Sequence, residues 1–270
     1  MALIGRRFRV RRNKKRGRGG RHRQVVIAMS AGIIEEFALK DTSLAPRANP
    51  VTRRLAGMMI AAATAAGFLA LTASVSLAQR PTGPAEVSVD ELMKATDLED
   101  VALGSKDAKV TIVEYASMTC GHCQKFATNV FPQIKTKYID TGKVRFINRE
   151  FPLDNLAAAA SMLARCAGGD KIFPMVETLF EKQADWAFTN GNPVPKLFDI
   201  AKQAGFTQES FDKCLTDQKL LDAITNQRKR ASETFGVSAT PTFFINGKRL
   251  TETPTIEAFD KALEPLLAAK

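Results

Sequence analysis

"VTIVEYASMTCGHC", Val110 to Cys123, runs from a β-branched stretch into two cysteines held two residues apart. Val110, Ile112 and Glu114 alternate with Thr111, Val113 and Tyr115, so apolar residues occupy both faces, as in a central strand. On spacing alone, Cys120-Gly-His-Cys123 admits half of a zinc site, a structural clip or a working dithiol. "CQKFATNVFPQIKTKYI" follows at helical spacing, with a bend expected at Pro132 and a stop at Thr141-Gly142. "KVRFINREF" reads as a second strand. Strand, helix and strand at these lengths predict a parallel pair joined by a right-handed crossover.

From Asp154 to about Phe235 the signals are helical. "DNLAAAASMLARCAGG" is capped by Asp154 and stopped by Gly168-Gly169, and "FPMVETLFEKQADW", "PKLFDIAKQAGF", "QESFDKCL" and "QKLLDAITNQRKRASETFG" continue at the same period. Strand signals return in "TPTFFING", where Asn246-Gly247 is a two-residue hairpin turn into "KRL". A last helix, "TIEAFDKALEPLLAA", follows. No internal repeat is visible.

Upstream, the charge is unevenly placed. The net charge is +11, but residues 1–24 alone carry 11 Lys/Arg and no acid, while 24 basic residues face 25 acidic ones from residue 79 onward. The basic character belongs to the tail, so a nucleic-acid partner is not expected for the body. "TRRLAGMMIAAATAAGFLALTASVSLAQ" has two arginines, an uncharged run from Leu55 to Ala78 and small residues before Gln79. These are the three parts of a secretory signal peptide, assigned here to residues 51–78 with cleavage after Ala78. The alternative is an uncleaved membrane anchor over 55–78, the one case that would bring a membrane contact. Fifty residues ahead of such a signal are unusual. We expect synthesis to begin near Val51, so that residues 1–50 are either a disordered basic tail or an artefact of the assigned start. A chain exported to the periplasm would carry its four cysteines where disulfides persist.

Taken in order, these elements resemble the thioredoxin superfamily. The helical block between a βαβ half and a ββα half is similar to its DsbA-like thiol–disulfide oxidoreductases. The carrying residues are Glu114, Cys120-Gly-His-Cys123, Thr240-Pro241 and "REFPLDN", Arg149 to Asn155, and the likeness extends over roughly Val101 to Leu267. It implies an α/β thioredoxin fold with an inserted helical domain. Residues 79–104 would be a lead-in, 105–153 the first half, 154–236 the insertion and 237–270 the second half.

A cysteine where a strand hands over to a helix has its sulfur at the positive end of the helix dipole, beside free backbone N–H groups. Such settings bring a cysteine pKa to roughly 3.5–7.5, a range drawn partly from thioredoxin and DsbA themselves. Cys120 is therefore the expected attacked sulfur, Cys123 its resolving partner, and a charged or donating His122 an added support. Glu114, beneath the motif, matches the family's buried acid, a proton acceptor for the second cysteine; an edge-strand glutamate facing water is the alternative. The resemblance makes Pro241 a cis-proline, with Thr240 presenting backbone groups and its hydroxyl to a peptide and to Cys120; a trans turn proline is the plainer reading. Zinc lacks companions, because Cys166 and Cys214 stand alone and the only other histidine is His22. No metal or cofactor is expected. Cys166, aligned with Met162 and Leu163, and Cys214, aligned with Phe211 and Leu215, are either two buried thiols or a disulfide stapling the insertion; export favours the disulfide.

The resemblance implies an oxidase for reduced secreted proteins, reoxidised by a membrane redox partner. Gly-His between the cysteines is instead similar to the pair in protein disulfide isomerases, so isomerase or reductase activity is the runner-up. From a different class, the chain would be a soluble or anchored peptide-binding chaperone with an incidental dithiol.

Overall fold

The computed structural model describes residues 83–269. The basic tail, the signal segment with its Ala78 site and the first lead-in residues lie outside them. The motif's approach strand is β2 (Val110–Ala116), preceded by a short helix α1 (Val89–Met93) and strand β1 (Val101–Leu103). After the cysteines come α2 (Gly121–Lys125) and α3 (Phe131–Ile134), then β3 (Val144–Glu150). The sheet is completed by β4 (Thr242–Ile245) and β5 (Lys248–Arg249), and α10 (Ile256–Ala268) follows. The strand order is β1-β3-β2-β4-β5. β2 pairs parallel with β3, Ile112 opposite Phe146 and Glu114 opposite Asn148, and antiparallel with β4, Glu114 opposite Phe243. β2 is thus central, as its two apolar faces require.

One face of the sheet, with Val110, Ile112, Phe146 and Phe243, packs on Phe126, Phe131, Ile134 and Tyr138 from the helix after the motif and on Phe259 of α10. Phe126 lies 4.6 Å from Phe243 by ring centroids, and Phe131 lies 4.8 Å from Phe146. Truncating Phe126 to alanine would cost about 3–5 kcal/mol, because neighbouring rings cannot all collapse into the space.

The helix reaches this face by an unequal path. A wide π turn, Phe126–Val130, separates α2 from α3, and another, Lys135–Ile139, follows α3. Pro132 has no N–H to give, and the turn before it closes through the Phe131 N–H on the Phe126 carbonyl. Five residues of regular α-helix would swing Phe131 about 140° around the axis from Phe126. The wider turn returns both rings to the sheet. The bend expected at Pro132 is therefore a wide turn that begins ahead of the proline.

The opposite face, with Val113, Tyr115, Ile147 and Phe244, is covered by Leu92 of α1 and by Ala231 and Phe235 of α9 (Gln218–Phe235). α9 is the last of the inserted helices, after α4 (Asn155–Cys166), α5 (Ile172–Glu181), α6 (Gln183–Trp186), α7 (Val194–Gln203) and α8 (Gln208–Leu215). Their shared core contains Leu163, Leu179, Trp186, Leu197 and Phe211, together with Ala116, Met118 and Cys123 from the motif side. Insertion and motif therefore pack as one apolar body.

The described part of the lead-in, residues 83–104, is tied to the sheet. β1 pairs antiparallel with β3, the Val87 N–H donates to Gly247 O at 2.9 Å, and the Arg249 N–H donates to Ala85 O at 2.8 Å. Arg149, buried on β3, holds Asp100 at 2.8 Å and donates to the Leu92 carbonyl at 2.7 Å. Asn246 and Gly247 both have positive φ, 45° and 84°, as a type I′ hairpin turn demands.

Candidate functional site

The main-chain turn from β2 into α2 makes Cys120 the N-cap, extended at φ −83° and ψ 118°, so its side chain faces the unpaired amides of the first turn. The Cys120 carbonyl already accepts the Gln124 N–H at 3.1 Å. Cys123, one turn on, is fully buried while Cys120 is half-buried, and both are free thiols. This asymmetry separates their acidities. The Cys120 thiol is lowered to about 5, first by a hydrogen bond from Cys123, against the opposing cost of burial, and then by Thr240 and the backbone N–H groups of Cys123 and His122. Cys123 is pushed up by burial, by that same hydrogen bond and by the charge of Glu114.

Thr240 precedes Pro241, and the peptide bond between them is cis. That turn sets the Thr240 carbonyl 3.3 Å from the Cys120 sulfur, whose S–H donates to it. The buried Thr240 hydroxyl has no hydrogen-bond partner. It favours the Cys120 anion, to which it can donate.

Glu114 is 3% exposed, on the sheet face turned towards the motif's helix. Burial raises its carboxyl to about 8, partly offset by the Asn148 side-chain amide, which donates to Oε2 at 3.1 Å. Its Oε1 has no partner. It is a neutral acid near neutral pH and sits electrostatically against both cysteines. The structure thus gathers Glu114, Cys120, Cys123, Thr240 and Pro241. The side chain of His122 is exposed on α2; what this residue supplies to the sulfur is its backbone N–H.

Cys166 and Cys214 lie elsewhere, joining the end of α4 to α8 in a disulfide with Cα atoms 6.1 Å apart. No cluster of metal-ligating side chains occurs among the described residues. No helix among them is long and apolar enough to cross a membrane.

Two groups near the motif escaped sequence reasoning. Asn148 is a polar residue in the middle of an apolar strand, and parallel register with β2 would have placed it opposite Glu114. Gln183 of α6 is 2% exposed, and its amide donates to the Met118 carbonyl at 2.7 Å and the Cys120 carbonyl at 3.1 Å. A glutamine in a helix gives no such signal, since the type is usually exposed.

Strand, half-buried cysteine at a helix start, buried partner and cis-proline loop define a thioredoxin-fold protein. The family model described as Thioredoxin matches residues 96–265. A Rickettsia bellii protein, named for an inferred protein-disulfide oxidoreductase activity, is 38% identical over 187 residues, covering 66% of this chain and 70% of that protein. The crystal structure of alpha-DsbA1 from Wolbachia pipientis superposes with a TM-score of 0.62 at 33% identity, over 67% of this chain and 96% of that one. Oxidised BdbD from Bacillus subtilis shares the fold, with a TM-score of 0.58 at 22% identity over 70% of this chain and 99% of that one. The chain belongs to the DsbA-like thiol–disulfide oxidoreductases of the thioredoxin superfamily.

Proposed function

We propose that this enzyme is exported, with a signal peptide at 51–78, and introduces disulfides into reduced secreted proteins through Cys120 and Cys123. The observation that carries this reading is the placement of Cys120, half-buried at a helix N-cap beside the cis Thr240-Pro241 bond, with Cys123 fully buried one turn behind it. This setting lowers the Cys120 thiol to about 5 and raises that of Cys123. A stabilised Cys120 thiolate favours the dithiol over the disulfide. The disulfide is then a stronger oxidant, and Cys120 a good leaving group.

In the forward direction, a substrate thiolate attacks the Cys120 sulfur of the Cys120–Cys123 disulfide. A bond forms between the substrate sulfur and Cys120, the Cys120–Cys123 bond breaks, and Cys123 leaves as a thiolate. Glu114, raised to about 8, is protonated at neutral pH and can return a proton to that buried sulfur. A second substrate thiolate then attacks the substrate sulfur of the mixed disulfide. The substrate disulfide closes, Cys120 leaves as the favoured thiolate, and two electrons remain on the enzyme. A membrane redox partner would take them up again. Thr240, beside the sulfur, and the turn at Pro241 would position the substrate chain for the first attack.

Export is supported by the disulfide between Cys166 and Cys214, which belongs to an oxidising compartment. N-terminal sequencing of the periplasmic form should begin at Gln79. The direction of exchange is tested by the Cys120–Cys123 potential against glutathione, beside oxidative refolding of a reduced substrate and rescue of a scrambled one. Net oxidation with an oxidising potential is expected. A strongly reducing potential without oxidase activity would overturn the assignment in favour of a reductase, and rescue of scrambled disulfides alone would favour an isomerase.

A further inference from the structure

The loop from Ser117 to Cys120 is fastened to the insertion at two separate places. Near the insertion's start, the Thr119 hydroxyl donates to Asp154 Oδ2 at 2.6 Å and the Leu153 N–H donates to Ser117 Oγ at 3.3 Å. From α6, the Gln183 amide spends its two hydrogens on the carbonyls of Met118 and Cys120, the residues on either side of Thr119. We propose that Gln183 is a positioning residue for the Cys120 sulfur, which makes the inserted helices part of the exchange site. The proposal rests on Cys120 and Cys123 being the exchanging pair.

The physical case lies in one peptide plane. The Cys120 carbonyl and the Gly121 N–H belong to the same rigid unit and point in opposite directions. The Cys120 carbonyl accepts the Gln124 N–H at 3.1 Å as the first bond of the helix, and Gln183 adds a second hold on the same plane from outside it. Two donors on one carbonyl restrict the direction of the amides that begin α2, and with them the field at the sulfur. Gln183 can do this because its own helix is anchored. Trp186, one turn on and fully buried, donates from its indole nitrogen to the Leu179 carbonyl at 2.8 Å. Both carbonyls held by Gln183 lie beside the core shared by Met118, Cys123 and Trp186. A buried amide in an apolar setting that satisfies two main-chain acceptors is costly to replace by a group that cannot donate.

The test is a thiolate-absorbance titration of the reduced protein, assigned to Cys120 by its loss in Cys120→Ser. Gln183→Met keeps the volume and removes both donors. It should raise the Cys120 pKa by about half a unit to one unit, a roughly three- to tenfold loss of thiolate below the transition. Formation of the mixed disulfide with a small disulfide probe should slow in parallel at acid pH and recover above the transition. Thr207→Ala removes the cap of α8, which makes no hydrogen bond to the motif. It should lower the melting temperature and leave the Cys120 titration unchanged.

If Gln183→Met fails to fold, Gln183→Asn decides. The shorter neutral amide cannot reach both carbonyls and should raise the Cys120 pKa; an unshifted titration overturns the proposal. A wild-type Cys120 titration in the folded methionine variant, or equal shifts in Gln183→Met and Thr207→Ala, overturns the proposal. The titration is read without substrate. A Cys120→Ser variant that still performs exchange would therefore sink the functional reading separately.

Discussion

Two cysteine pairs share this chain, and their settings are opposite. Cys120 opens a helix, half-buried, with main-chain amides lowering its thiol and the Thr240 carbonyl 3.3 Å from its sulfur. Cys166 closes one, as the last residue of α4, where the carbonyl end of the dipole disfavours a thiolate. Its partner Cys214 is 4% exposed in a small cluster with Met162, Ile224 and Leu98. A thiolate is welcome at the first pair and unwelcome at the second. The two pairs differ in which end of a helix the sulfur occupies, and that difference is what the proposed exchange at Cys120 and the staple at Cys166 rest on.

The largest expected effect breaks the first pair. Cys120→Ser should reduce exchange to the background of free thiols while leaving the melting temperature of the dithiol form close to wild type. Breaking the second pair should do the reverse. The Cys166–Cys214 bond closes a separation of 48 residues, for which chain entropy alone gives about 4 kcal/mol. The double serine variant should lose most of that in denaturant unfolding, with its exchange rate near wild type wherever it remains folded. A large loss of exchange at unchanged stability would show that the pairs are coupled.

A finer probe is Glu114→Gln, followed across pH. The folded carboxyl titrates at about 8, above its ordinary value of 4.5. The folded state therefore binds this proton more tightly; the stabilisation is full below about pH 4.5 and is lost as pH rises through about 8. The permanently neutral variant escapes that loss. It should gain stability over wild type as pH rises through this window, by a few kcal/mol at most. In exchange assays the proposed proton relay from Glu114 to Cys123 predicts that the variant is slower than wild type. A stability difference that does not vary with pH would show that Glu114 is ionised throughout.

The smallest effect concerns the seam between the regions. Asp154 caps α4 through the Ala157 N–H at 2.7 Å and holds Thr119 with its other oxygen. Asp154→Ala should cost about 1 kcal/mol in unfolding, with a modest slowing of exchange. Full loss of exchange would place more of the site's rigidity at this seam than at α6.

Much of this was legible because it repeats at fixed periods. The two faces of "VTIVEYA" place β2 at the centre, and a strand running into a helix places Cys120 at an N-cap whatever the tertiary detail. Asn246-Gly247 announces its turn by chemistry alone. β1 was not legible: three residues, Val101 to Leu103, are too few to show alternation, and they become a strand only because β3 offers an edge. Gln183 was silent for a related reason. Its role comes from where α5 and α7 hold a four-residue helix, and no local pattern records that. His122 shows the converse case. The residue type suggested a charged neighbour, whereas its fold position lends the sulfur a main-chain amide.

Trp186 is the only tryptophan in the chain, and it is buried in the core that also holds Cys123. Sulfur quenches an excited indole, and a thiolate does so differently from a disulfide. The protein therefore carries its own optical gauge at the junction of insertion and motif. A shift in its emission on reduction would report, without any label, that electrons arriving at Cys120 are felt by the inserted helices.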